Sequence, residues 1–523
     1  MIWEIQREYW EERGPTAWSS GDVPFLLSTA PVVGRSYARL IEAFVEDLAA
    51  GRLGPADPTE PVYVVDIGCG NGRLGYYTLR ALDHDYLAPF RVVYVFADRA
   101  RANIEFCQSH PKLAPFFASG QADIAQYDAT HDDGLVLERL GVTIEPGSLA
   151  NPVVAIGNYL LCVLPPDVIS VIDGHSYEEH VEVIAENDAV RPTDETFFED
   201  IFVARYHIPF ERSKYGETVG AVVEKVAAER GSNHQFLLPT EWFSVYERIQ
   251  ALSDHRSMVI IGDRPELPLP SPLEAPVPLP VDGTEVELQA VRPADCYGIR
   301  THGRSISVPV DYGVVEAATE LAGGSVFHTP HFASAIRIGV MIEGEREPAK
   351  LLRKRFQDAA VDPAPDDIWY TAQLTAVEDA PLEGLIAELR LACYDSDVFM
   401  KVYRGLELLL REASGRIRDE TLIALERVAD MDYRVAATED IAFGIGLLLA
   451  KAELYTEALG YFEQSKETFG PRAQTSFNGA MCYLNIGDNP AGLALLNEAI
   501  ELDPAYKLAL AIREKVLAGE TLK

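Results

Sequence analysis

The sequence predicts a Rossmann-like α/β domain with a helical insertion, followed by an all-α domain. Three observations predict it. Strand and helix signals alternate between residues 62 and 157. The first strand runs into an acid and a glycine cluster, VYVVDIGCGNGRLGYY, at 62–77. From residue 346 onward the pattern is almost wholly helical and carries a 34-residue recurrence near its end. Strands alternating with helices imply a parallel sheet covered on both faces.

Taken in order, residues 1–60 read as an N-terminal helical arm. Within it Leu40, Ile41, Phe44, Val45 and Leu48 fall on one face of a helix over 36–50. A Gly/Pro/Asp-rich break at 51–61 precedes the α/β domain, 61–345. Its expected elements are a strand at 62–67, a helix at 73–82, a strand at 91–97 and a helix at 99–109. A short strand before Asp128 and a strand at 152–157 follow. The next buried strand is SMVIIGD, 257–263. The intervening stretch is too long for one crossover and reads as mostly helical, so 166–256 is expected to be a helical insertion. The prolines of 263–280 lack the amide donor, so that stretch is expected to be an extended connection. SISVPVDY (305–312) and AIRIGVMI (335–342) are candidate late strands.

In the helical domain, 346–523, Gly446 recurs as Ala480, Ala458 as Gly492, and Phe462 as Leu496. Small residues stand where two helices approach closely, and large ones where a groove is filled. Period and pattern resemble the tetratricopeptide repeat, best at 439–506, with a generic helical-hairpin bundle as the alternative. Either arrangement suits docking of a protein partner.

Composition bounds the function. The 523 residues suggest two to four domains at roughly 100–200 residues each. A formal charge of −36 argues against a broad nucleic-acid surface, which needs Lys and Arg to displace counterions. The six cysteines are dispersed with no C-x-x-C, as in a reduced intracellular protein. The charged N-terminus lacks an apolar leader core, and no run of ~18 apolar residues occurs. A cytoplasmic protein without a membrane span is therefore expected. His328 and His331 are too few for a metal centre, and none is expected.

The glycine cluster decides the ligand. No lysine follows it, which excludes a Walker phosphate loop. Gly70-Asn71-Gly72-Arg73-Leu74-Gly75 does fit the dinucleotide pattern G-x-G-x-x-G. Yet Asp66 stands at the strand end, two residues before Gly68. An acid there repels a pyrophosphate and suits a ligand with a cationic amino group. S-adenosylmethionine (SAM) has that group and no phosphate. Asp98, ending the second strand, is placed to accept hydrogen bonds from a ribose diol. Asp128 either faces the adenine amino group or is an ordinary loop aspartate. Asn158, at the end of the fourth strand, either touches donor or acceptor or satisfies its own turn.

The run D-I-G-C-G-N-G-x-x-G at 66–75 resembles motif I of class I SAM-dependent methyltransferases. Three further patches are similar to the MidA-like subgroup, related to the mitochondrial arginine methyltransferase of complex I assembly. They are STAPVVGRSYARLI (28–41), NYLLCVLPPDV (158–168) and SISVPVDYGVVEAATELAGG (305–324). The resemblance implies a class I methyltransferase sheet that binds SAM through Asp66, Gly68, Gly70, Gly72, Asp98, Asp128, Asn158 and Thr29. It also implies that the segment 18–31, with Gly21, Pro24 and Pro31, closes over the donor; simple packing of an arm is the alternative. Acceptor-side residues depart from the subgroup: Tyr159 stands for a glutamate, Cys162 and Ser305 for aspartates, and Pro309 for a histidine. A guanidinium is best held by fixed carboxylates, so arginine specificity does not carry over. Asn158 and Tyr159 are the candidate catalytic residues; Glu178, Glu179 and Glu182 are alternatives or a charged helix face.

These readings give a SAM-dependent methyltransferase, with a protein or peptide acceptor docked by the repeats. The rivals are a SAM-binding scaffold without catalysis and, more distantly, a NAD-dependent oxidoreductase.

Overall fold

In the computed structural model the described residues are all except 1, 20–22, 24, 266–275, 278–289, 332–334, 346, 375–379, 436–438 and 520–523. Most of the expected 263–280 connection, and Gly21 and Pro24, lie outside them. The chain forms two compact units, Met1–Asp367 and Ile368–Lys523.

The first unit is built on a seven-stranded sheet. Its strands are β1 (Val62–Ile67), β2 (Val92–Asp98), β3 (Ala122–Gln126), β4 (Val153–Asn158), β5 (Ser257–Asp263), β6 (Ser325–His328) and β7 (Arg337–Glu343). Their spatial order is β3-β2-β1-β4-β5-β7-β6. β1 to β5 run parallel, and β7 runs antiparallel to both of its neighbours. This is a Rossmann-like sheet with an antiparallel seventh strand. β1, β2, β5 and β7 are buried along their whole length, as strands covered on both faces must be. Chain order reverses between β1 and β4, which opens a crevice outside their carboxyl ends.

Helix Pro31–Ala49 packs on helix Arg73–Ala81, and its Asp47 carboxylate is buried. That carboxylate accepts the amide of Leu352 at 2.9 Å, and Ser36 donates to the carbonyl of Ala359 at 2.7 Å. These bonds tie helix Lys350–Phe356 into the first unit, so the unit runs about twenty residues past the expected limit at 345.

The insertion differs from the expected helical region. Between β4 and β5 lies a four-stranded antiparallel sheet of Asp167–Ile172, His175–Ala185, Ile201–Pro209 and His234–Leu238. Helices Arg212–Arg230 and Thr240–Leu252 accompany it. Glu178, Glu179 and Glu182 are therefore strand residues, not a helix face. The cause is ion pairing inside the sheet. The Glu179 side chain is buried and receives both Arg205 Nε at 2.7 Å and Tyr297 Oη at 2.5 Å. Inward charges thus break the apolar alternation that marks a strand. SISVPVDY is not a strand of the main sheet either. Ser305–Ser307 pairs with Arg300–His302, and Val310 makes an isolated bridge to Pro265; Pro309 has no amide to continue a strand, and Asp311 caps helix Tyr312–Leu321 through the amide of Val314.

The second unit, described by itself, is a run of antiparallel-type helices. Helices Ile441–Lys451 and Tyr455–Phe469 pack as one pair, and Ala473–Asn485 and Asn489–Leu502 as the next. A Cβ on Gly446 would lie 2.7 Å from the Phe462 ring, and one on Gly492 2.6 Å from Leu484. Ala458, Ala480 and Leu496 are fully buried at the equivalent contacts. The recurrence in the sequence is thus a recurrence of close helix crossings. Among the described residues no helix is long and apolar enough to cross a membrane.

Candidate functional site

The site is built on the turn after β1. Gly68, Gly70 and Gly72 all take positive φ (70°, 55° and 74°), a conformation open mainly to glycine. The turn delivers the chain into helix Arg73–Ala81. A Cβ on Gly75 would overlap the rings of Phe96 and Tyr94, so glycine there lets this helix lie directly on β2.

Asp66 is 2% exposed, and its Oδ2 accepts the Tyr94 hydroxyl at 2.9 Å. Burial pushes its carboxyl up to about 7, against the lowering effect of that hydrogen bond. Asp98 is buried at the tip of β2 and closes the turn. Its two oxygens accept the amides of Gly70 at 2.9 Å and Ala100 at 2.8 Å. Burial raises its carboxyl, while these amides and Asn103 act in the opposite direction.

Asp128, beyond β3, caps its own turn. Its Oδ1 accepts the amide of Thr130 at 3.1 Å and the Thr130 hydroxyl at 2.6 Å. Arg7 of the N-terminal helix stands 3.6 Å from Oδ2. Partial burial works to raise this carboxyl, and the Thr130 bonds and Arg7 outweigh it, so it is lowered overall.

At the tip of β4, Asn158 is a clamp. Its Oδ1 accepts the buried Tyr37 hydroxyl at 2.9 Å and its Nδ2 donates to the carbonyl of Ser28 at 3.1 Å. Gly262 of β5 makes room for this pair, since a Cβ there would overlap Tyr37 Oη. Tyr159 has φ 53°, and its hydroxyl donates to the carbonyl of Ala335 at 3.0 Å. Burial and then Asp263 raise that hydroxyl's pKa. Thr29 turns inward on its own loop, donating to the carbonyl of Phe25 at 2.8 Å.

The N-terminal arm covers this edge. Trp18 sits where a Cβ on Gly70 would be, 2.7 Å from its Cζ2. Phe25 lies against the Arg73 guanidinium, 5.5 Å from ring centre to Cζ. Helix Ile2–Arg13 crosses the strand tips. Arg7 Nη2 donates to Thr130 at 3.3 Å, Arg99 to the carbonyl of Arg7 at 3.0 Å, and Gln6 to the carbonyl of Val163 at 3.3 Å.

Sequence reasoning missed Asp263. It ends β5 fully buried, accepts the amide of Cys162 at 3.1 Å, and is pushed up to about 6 by burial. The acid lost at Cys162, in the short 3-10 turn Leu161–Val163 beyond β4, thus has a neighbouring carboxylate on β5. The signal was present as the terminal acid of SMVIIGD, the same strand-then-acid pattern that singled out Asp66 and Asp98. The arm residues Gln6, Arg7 and Trp10 were missed too, because nothing local in MIWEIQREYW points to a site; Trp18 opens the segment 18–31 that the sequence singled out. Ser305 is buried and its Oγ has no partner among the described residues. His328 and His331 part company: the first approaches Glu316 at 3.5 Å, the second the carbonyl of Val361 at 3.0 Å. Among the described residues no group of three or more His, Cys, Asp or Glu is placed to hold a metal ion.

Asp66, the glycine turn, Asp98 and Asn158 meet at one sheet edge. The Gly70 and Ala100 amides and Asn103 leave the Asp98 carboxylate one acceptor direction for a ligand hydroxyl, and the turn offers no lysine to a phosphate.

No protein-family model and no curated protein matches the chain. Solved structures do. An uncharacterized protein from Burkholderia thailandensis aligns at 14% identity and TM-score 0.36, over 64% of this chain and 84% of that one. A second member of its superfamily from the same organism, bound to S-adenosyl-homocysteine, aligns at 14% and 0.35, over 60% and 77%. A 1,6-didemethyltoxoflavin-N1-methyltransferase from that organism, with S-adenosylhomocysteine bound, aligns at 12% and 0.23, over 58% and 77%.

Proposed function

We propose that the chain is a SAM-dependent methyltransferase of the class I type, with MidA-like character. One observation carries the reading. A sheet with an antiparallel seventh strand brings an acid-preceded glycine turn and an acid-tipped second strand to its reversal point. Bound SAM supplies an electrophilic methyl group on a sulfonium.

The chain's own residues hold and align. Asp98 receives a ribose hydroxyl, and Gly68, Gly70 and Gly72 let the backbone come close. Asp66 adds negative charge for the cationic part of the donor. Asp128 and Thr29 border the nucleoside and lid sides. Trp18 and Phe25 keep water from the turn. In-line displacement at carbon asks for alignment more than for acid–base power. Asp263 offers the acceptor side a carboxyl that loses its proton near neutrality, suited to an acceptor that must shed a proton. The helical unit, read as tetratricopeptide-like, docks a protein or peptide acceptor in a cytoplasmic setting.

One observation favours the second reading, a SAM-binding scaffold without catalysis. Asn158 and Tyr159, the polar side chains at the β4 edge, are both engaged in holding the fold. Incubation with methyl-labelled SAM and cell lysate separates the two. A labelled product that disappears in Asp66→Ala supports the enzyme. SAM binding with no label in protein or metabolite fractions supports the scaffold.

A further inference from the structure

The N-terminal helix brings two unsatisfied polar atoms to the site. Gln6 is 2% exposed; its Nε2 is bonded to the Val163 carbonyl, and its Oε1 is buried with no partner among the described residues. One turn on, Trp10 Nε1 is likewise buried and without a partner among the described residues. Spacing of i, i+4 puts the two on one helix face. Their neighbours say where that face looks. Gln6 reaches the chain just beyond the β4 tip. The Trp10 ring packs 5.4 Å from that of Trp18, which lies on Gly70. The face therefore spans the crevice between β4 and the glycine turn.

A buried acceptor beside a buried donor, neither met among the described residues, is costly and calls for a ligand with the complementary pair. An α-amino-acid group is such a pair: its ammonium donates and its carboxylate accepts. With the ribose of the donor at Asp98 on β2, the opposite end of that ligand extends over the turn toward β1 and β4, under this helix. We infer that Gln6 and Trp10 bind the α-amino-acid end of the methyl donor, Gln6 Oε1 taking the ammonium and Trp10 Nε1 giving to the carboxylate. The inference rests on the SAM reading of the site and names residues no motif of that reading includes.

Calorimetry on the full chain with two probes tests it. S-adenosylhomocysteine carries the amino-acid end; 5′-methylthioadenosine has the same nucleoside without it. Gln6→Met and Trp10→Phe each delete the polar atom and keep most of the shape. Each variant is expected to weaken S-adenosylhomocysteine about tenfold, the scale of a charge-assisted hydrogen bond, and to change 5′-methylthioadenosine by less than about twofold. Binding of the second probe also reports that the variants are folded. Parallel weakening of both probes, or unchanged S-adenosylhomocysteine affinity, overturns the assignment while leaving the SAM reading intact. If the wild-type chain binds neither probe, the SAM reading itself fails and takes this assignment with it.

Discussion

At the residue scale, buried carboxyls set the chemistry. Asp66 has a folded pKa of about 7, against roughly 3.9 unfolded, because burial disfavours its charge. The folded state then holds a proton that the unfolded state has released. This contribution is therefore neutral below about pH 4, and destabilises increasingly as pH rises toward about 7. Asp263, at about 6, acts in the same direction over a narrower window. Urea unfolding is expected to show stability falling from pH 5 to pH 8 in the wild type and falling less in Asp66→Asn, which keeps an acceptor for Tyr94. A ligand cation reverses the preference of Asp66 for its neutral form. The affinity of S-adenosylhomocysteine is accordingly expected to rise between pH 6 and pH 8 in the wild type, and that rise to shrink in Asp66→Asn. Equal pH profiles for the two proteins would remove Asp66 from the site. Asp98→Ala is expected to weaken the same ligand by about 1–3 kcal/mol, as loss of a charged hydrogen-bond partner does. Unchanged affinity would mean that the ribose lies elsewhere.

At the scale of elements, the parts that position the turn are legible in the sequence for physical reasons. VYVVDI and VVYVFAD are continuous apolar runs because both faces of their strands are covered. The glycines are read directly because only they adopt the backbone the turn requires. The strands of the insertion were illegible because Glu179 and Arg205 point inward as an ion pair, so polarity does not mark the outer face. SVFH, β6, is short and half-buried at the sheet edge, and gives no apolar run to read. Asp98 and Asp128 could be picked out as acids at strand ends. Thr130 engages Asp128 locally, but the approach of Arg7 depends on a helix more than a hundred residues away in the chain. Helix-on-sheet contact at the turn has its own test. Gly75→Ala forces a methyl into Phe96 and Tyr94, and thermal or denaturant melts are expected to show a loss of about 1–3 kcal/mol. A neutral substitution would show that the helix can shift off β2 without cost.

At the scale of the whole molecule, every residue assigned to the site lies in the first unit, Met1–Asp367. A chain ending at Asp367 is therefore expected to bind S-adenosylhomocysteine within about twofold of the full length, while methyl transfer to a docked macromolecular acceptor is lost. Loss of S-adenosylhomocysteine binding on truncation would place part of the site in the helical unit. The central claim is that the β1 turn holds a sulfonium nucleoside and not a dinucleotide. Calorimetric titration of the full chain with S-adenosylhomocysteine and, separately, NADH tests it most directly. Saturable binding of the first, weakened in Asp98→Ala, with no heat from the second is the expected result; binding of NADH with none of S-adenosylhomocysteine would contradict it.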